Sequence, residues 1–117
     1  MDPVQLVVEL LSAEMEVPVT TERKPDRPVR MVLVSQSADA SDEFLLQPRM
    51  ELTCWGSTDR DARGIATSAI DVLRDAALDH PYLSAVRLET MARDEWTRTG
   101  QARYVAEVDL IINTDEE

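Results

Sequence analysis

Residues 51–80 read ELTCWGSTDRDARGIATSAIDVLRDAALDH, and the fold turns on how they are parsed. Ala62, Ile65, Ala66, Ala69, Ile70, Leu73, Ala76 and Ala77 recur at i, i+3, i+4 spacing. Arg60, Arg63, Thr67, Asp71, Arg74 and Asp75 take the other side, which predicts an amphipathic helix of about 20 residues. Thr58, followed three residues later by Asp61, has capping-box spacing and opens that helix. Gly56 and Ser57 end the segment before it. His80-Pro81 closes the helix, and a histidine there suits the negative end of the helix dipole. The alanine-rich inner face allows close approach to a sheet.

The same stretch carries the only cysteine, Cys54, and the only histidine, His80. A thiol and an imidazole suggest a nucleophile and its base. Strand alternation, however, puts Cys54 on the side of Met50 and Leu52, facing a core. A helix of about 20 residues rising ~1.5 Å per residue separates the pair by roughly 30 Å. The expectation is a core cysteine and a helix cap, and no catalytic residue.

Upstream, alternation runs from Phe44 to Cys54, with Phe44, Leu46, Met50, Leu52 and Cys54 on one face. Pro48 interrupts it, so the regular strand is predicted over 48–55. VRMVLVSQ (29–36) is a strand whose four consecutive apolar residues imply burial on both faces. SADASDE (37–43) reads as an acidic hairpin loop between the two. Asp2-Pro3 starts a first helix over about 3–14, with apolar residues on more than one face (Val4, Val7, Val8, Leu11 beside Leu6, Leu10). Such a helix is sandwiched or meets another subunit. EVPVTTERKPDRP (16–28) is an irregular connector with a short extended piece at 17–21.

Downstream, LSAVRLETMA (83–92) and ARYVAEVDLII (102–112) are two strands around the polar tip RDEWTRTGQ (93–101). The order is α-β-β-α-β-β. It predicts one α+β domain over 1–112: an antiparallel or mixed sheet of about four strands packed on two helices, with a flexible acidic tail at 113–117.

Composition narrows the function. At 117 residues with 44 % hydrophobic residues, the chain supports one core, built on aliphatic side chains because aromatics are only 4 %. No run approaches the ~20 apolar residues of a membrane span, and the start lacks a basic segment, so no membrane role or secretion is expected. A lone cysteine fits a reducing compartment. The 23 acidic and 12 basic residues give a net charge of −11, which disfavours binding to phosphate backbones. Eleven of the basic residues are arginine, scattered along the chain in a way that favours a coding bias over selection for bidentate contacts.

No glycine-rich phosphate loop and no Cys/His metal cluster occur. The acidic pairs Asp42/Glu43, Asp59/Asp61 and Asp94/Glu95 suit a loop, a helix start and a hairpin tip better than a cation, so neither metal nor cofactor is expected. The two tryptophans are less easily absorbed. Trp55 points away from the Cys54 face, with burial under the first helix or a loop as its favoured reading. Trp96, flanked by Arg93 and Arg98, has the composition of an interface anchor, or it folds back over its own sheet edge.

Taken in order, these segments resemble the small tail-terminator (tail-completion) proteins of long, non-contractile-tailed bacteriophages. The likeness rests on an apolar N-terminal helix, a proline-bearing connector and the strand PVRMVLVSQ. A strand ending in tryptophan, PRMELTCWG, then leads directly into STDRDARGIATSAIDVLRDA, and the closing hairpin's last strand opens with Arg-Tyr, ARYVAEVDLII. In place of a small glycine-containing turn after the first strand, this chain has SQSADASDE.

The resemblance implies a structural virion protein. It would form a homo-hexameric ring that caps the completed tail tube and offers a joining surface to the head-completion or connector protein. It would assemble in the host cytoplasm and remain at the head-proximal end of the tail. Its partners would be itself and the tail tube protein, with DNA passing through an acidic lumen without specific binding. Subunit contacts are expected at Leu6, Leu10, Arg93, Trp96 and Arg98, and the loop of Asp39, Asp42 and Glu43 is expected to face tube or lumen. The alternatives are a head-completion or connector adaptor of the phage neck, and a non-viral α+β protein-binding module.

Overall fold

The computed structural model describes residues 2–22, 30–39, 41, 45–94 and 102–113. Helix α1 (Pro3–Glu14) begins at Asp2, whose carboxylate accepts from the Val4 N–H at 3.0 Å, with Pro3 in the first turn. The chain then forms β1 (Val19–Thr20), β2 (Met31–Asp39), β3 (Leu45–Leu46) and β4 (Pro48–Gly56). Helix α2 (Asp59–Asp79) follows at once, and β5 (Leu83–Arg93) and β6 (Ala102–Asn113) close the domain. It is the single α+β domain expected, though the described residues form six strands rather than about four.

The sheet runs β1-β2-β4-β6-β5, with β3 extending the β4 side of β6 at Ile112 and Asn113. Only β1 and β2 pair in parallel; β2 with β4, β4 with β6 and β5 with β6 are antiparallel. Since β4 and β5 are each antiparallel to β6, they run parallel to each other and need a crossover. Helix α2 is that crossover, a split β-α-β unit with β6 inserted between its strands.

Both helices pack on one sheet face. Leu6, Val7 and Leu11 of α1 join Ile65, Ala66, Ala69, Ile70 and Leu73 of α2 over Val32, Val34, Met50, Leu52, Cys54, Ala106, Val108, Leu110 and Ile112. Met50, Leu52 and Cys54 are the alternate positions that periodicity assigned to one face. Met31, Leu33 and Trp55 form a second small cluster on the opposite face, so the four apolar residues of β2 are indeed buried on both sides.

Several expectations are corrected. The first strand does not end at Gln36 but continues through Asp39, pairing Ala38 with Arg49 and Asp39 with Pro48. A register shift at Ser37 lets residues of turn-like composition stay in the ladder. The second strand takes in Gly56, and Asn113 belongs to β6, its N–H donating to the Tyr82 carbonyl at 2.8 Å. Residues 114–117 of the expected tail lie outside the described residues. His80 is the C-cap of α2, and its Nδ1 accepts from the N–H groups of Tyr82 (3.1 Å) and Leu83 (3.3 Å). It thus closes the helix as expected and also serves the following turn as an acceptor.

The start of α2 is tied down twice. Thr58 Oγ1 accepts from the Asp61 N–H at 3.0 Å, and Asp61 turns back to accept from the Ser57 N–H at 3.0 Å. Arg30, at the foot of β2, grips the same carboxylate at 2.9 and 3.1 Å. The Ser57 amide first, then the Arg30 guanidinium, hold the Asp61 carboxyl below the usual carboxylate range. A carboxyl depressed in the folded state adds stability above its unfolded pKa, near 4, and loses it as pH falls through the lower folded value. Urea melts should therefore show stability falling below about pH 4, with a shallower fall in Asp61→Asn than in the parent.

Candidate functional site

Cys54 and His80 are not brought together. Cys54 lies in β4 facing the core, fully buried, five residues before the first residue of α2; His80 follows the last. The 21 residues between them in α2 span about 31 Å. Burial pushes the Cys54 thiol up to about 12. A thiol buried and held protonated in this way is unreactive, so a disulfide reagent should label Cys54 only as the chain unfolds. Rapid labelling of the native protein would contradict this placement. Among the described residues no group of three or more His, Cys, Asp or Glu side chains is arranged to hold a metal ion.

The residues assigned to subunit contacts separate into different environments. Leu6 is 7 % exposed and belongs to the domain's own core, whereas Leu10 is half-buried and lines a surface groove. Arg93 is exposed at the end of β5 and pairs with Asp59 in the first turn of α2 at 3.1 Å. Trp96, Arg98, Asp42 and Glu43 lie outside the described residues. Asp39 is exposed; the hydroxyl and then the N–H of Ser41 donate to its carboxylate and hold it below its ordinary range.

Trp55 is 3 % exposed. It lies on the sheet face away from both helices, so the first helix does not cover it. The Arg103 guanidinium sits 5.7 Å from its ring centroid and also pairs with Asp94. Farther along the same face, Arg49 forks onto Asp109 at 2.7 and 3.1 Å and reaches Glu89 at 3.4 Å; Arg87 joins Glu89 at 2.8 Å. The fork raises Arg49 and lowers Asp109 from their ordinary values. The outer sheet face is therefore apolar and covered at one end, ionic and open at the other.

Two surface features escaped the sequence reading. One is a pair of adjoining grooves beside α1 and α2, of about 640 and 400 Å³, sharing Glu14 and Val72. Their floor includes Leu10, Met15, Ile65 and Ala76, and Glu16, Asp75 and Asp79 are among the residues around it. The other is the outer edge of β5. Among the described residues β5 pairs with β6 alone, and Leu78 (85 % exposed) and Tyr82 (38 %) stand at the corner leading into it. Among the described residues no helix is long and apolar enough to cross a membrane. Compared with known protein families and with curated proteins, the chain matches none.

Proposed function

We propose that this chain is a structural, non-catalytic virion protein, a tail terminator that closes the finished phage tail tube as a ring of six and presents the surface to which the head joins. The observation that carries the reading is the order of elements with their motifs. An apolar first helix precedes PVRMVLVSQ, PRMELTCWG runs straight into the Ala-rich helix, and ARYVAEVDLII closes the domain. In support, the six-stranded sheet keeps open edges while both helices stay on one face, a shape that leaves two different flanks for neighbours. The net charge of −11 suits a ring whose lumen passes DNA without retaining it.

The test is native mass and electron microscopy of the purified chain with isolated tail tubes. A ring of six at one end of each tube is the expected result. A chain that stays monomeric at high concentration and leaves tube ends bare would overturn the reading, and twelve copies per assembly would transfer it to a connector adaptor.

A further inference from the structure

The sheet has two open flanks of unequal character. On one, β5 offers 11 residues with a backbone edge that no other described strand pairs. On the other, β1 pairs only Val32 and Leu33, so among the described residues β2 from Ser35 to Asp39 has no strand on that side, and all five of these residues are exposed. Following the ladders across the sheet, β2 is antiparallel to β4, β4 to β6 and β6 to β5, so β2 runs antiparallel to β5. Rotating a copy about an axis lying along the strands preserves these directions. The β2 flank of one copy then meets the β5 flank of the next in the antiparallel sense, the more stable of the two ladders.

Side chains agree with that meeting. On the helix side of β5, Val86, Leu88 and Met91 are only partly buried, and exposed Leu78 and Tyr82 continue the apolar margin at its start. On the β2 flank, α1 carries Val4 and Val8, half-buried on the side of the helix away from Leu10 and the groove. Charge favours the same match. The one carboxylate of β5, Glu89, is already shared by Arg49 and Arg87, and the Arg87 side chain remains 80 % exposed. The β2 arm ends in the carboxylate of Asp39, its only charge. Two β5 edges brought together would set exposed arginines against each other.

We propose that copies of this chain join head to tail by edge-strand pairing, β5 of one copy extending the sheet of the next at Ser35–Asp39 of β2. The inference rests on the ring reading and names the seam. Such an interface is heterologous, so it closes only if the rotation between copies divides a full turn. Two register shifts in β5, between Leu83 and Ala85 and between Leu88 and Thr90, restrict which strand can match its edge.

Single-cysteine additions test it in the full chain, because buried Cys54 is silent. Ala85→Cys or Thr90→Cys on β5 and Ser35→Cys or Ala38→Cys on β2 all lie at exposed or half-exposed positions. Under mild oxidation, mixing a β5 variant with a β2 variant should yield cross-linked dimers at least about tenfold above either variant alone, since a disulfide needs Cα atoms within about 7 Å. A chain carrying both cysteines should give a ladder of oligomers. Cross-linking of a β5 variant with itself, or none in any mixture, overturns the seam. If rings cap tubes while mixed pairs stay unlinked, the seam fails and the capping role stands. Linked oligomers from a chain that caps no tube would keep the seam and remove the role.

Discussion

Gly56→Ala should unfold or severely destabilise the domain, while the same substitution at Gly64 should stabilise it. At Gly56, where β4 passes into α2, an added Cβ would lie 2.4 Å from the Ala62 nitrogen, 2.8 Å from its Cα and 2.9 Å from the Asp61 carbonyl carbon. All three are backbone atoms in the first turn of α2. No side chain can rotate away, so relief requires moving the helix off the sheet. That motion would break the Asp61 bonds to Ser57 and Arg30 and open the core around Ala62 and Ala66. The cost should reach or exceed the top of the ~1–3 kcal/mol range of overpacked sites.

Gly64 sits on the exposed side of α2 with nothing within 4 Å of a built Cβ. There alanine only restricts the unfolded chain and improves helix propensity, a gain of about 0.5–1 kcal/mol. Thermal melts of the two variants should therefore move in opposite directions. Gly56→Ala melting within a few degrees of the parent would show that α2 is not docked as closely as described.

Close approach at Gly56 was not legible in the sequence, although the elements on either side of it were. Helix α2 was readable because its signals are local: an i, i+3, i+4 alanine and isoleucine face, a threonine cap and a closing His-Pro. The inner-face positions of β4 were readable for a similar reason, since alternation at period two survives any choice of partner strand. What failed depends on neighbours distant in the chain. Ser37–Asp39 look like a loop and are held as strand by Arg49 and Pro48 across the ladder. Two-residue β1 falls within the extended piece expected at 17–21, but its parallel pairing with Val32 and Leu33 had no local sign. Arg30, 31 positions from Asp61, gave no local sign of gripping the helix start.

The candidate site was less legible than the fold. Leu6 and Leu10 fall on one strip of α1, yet one enters the core and the other lines a groove, because tertiary packing rather than periodicity decides which of them is covered. The open β5 edge is a fact of strand order, and strand order follows from where a crossover lands rather than from any residue in β5 itself.

Trp55→Ala should cost about 3–5 kcal/mol of folding stability, a large fraction of the ~5–15 kcal/mol typical of a domain. Sequence alone favoured burial of Trp55 under the first helix or a loop, on the face opposite Cys54. Here it is packed with Met31 and Leu33 on the far side of the sheet, with Arg103 against its ring. Truncation would empty the largest side chain from that cluster and remove the cation's aromatic partner. Trp55→Phe should recover most of the loss, because the apolar volume is largely kept and only the cluster's fit is altered. Urea denaturation of the isolated chain measures this directly, free of any assembly. If Trp55→Ala leaves the monomer's midpoint unchanged but weakens association, the ring is an interface anchor and the second cluster is not part of the domain's core. The expected result is the reverse: a lower midpoint with an unchanged slope, reporting lost stability in a fold that remains cooperative.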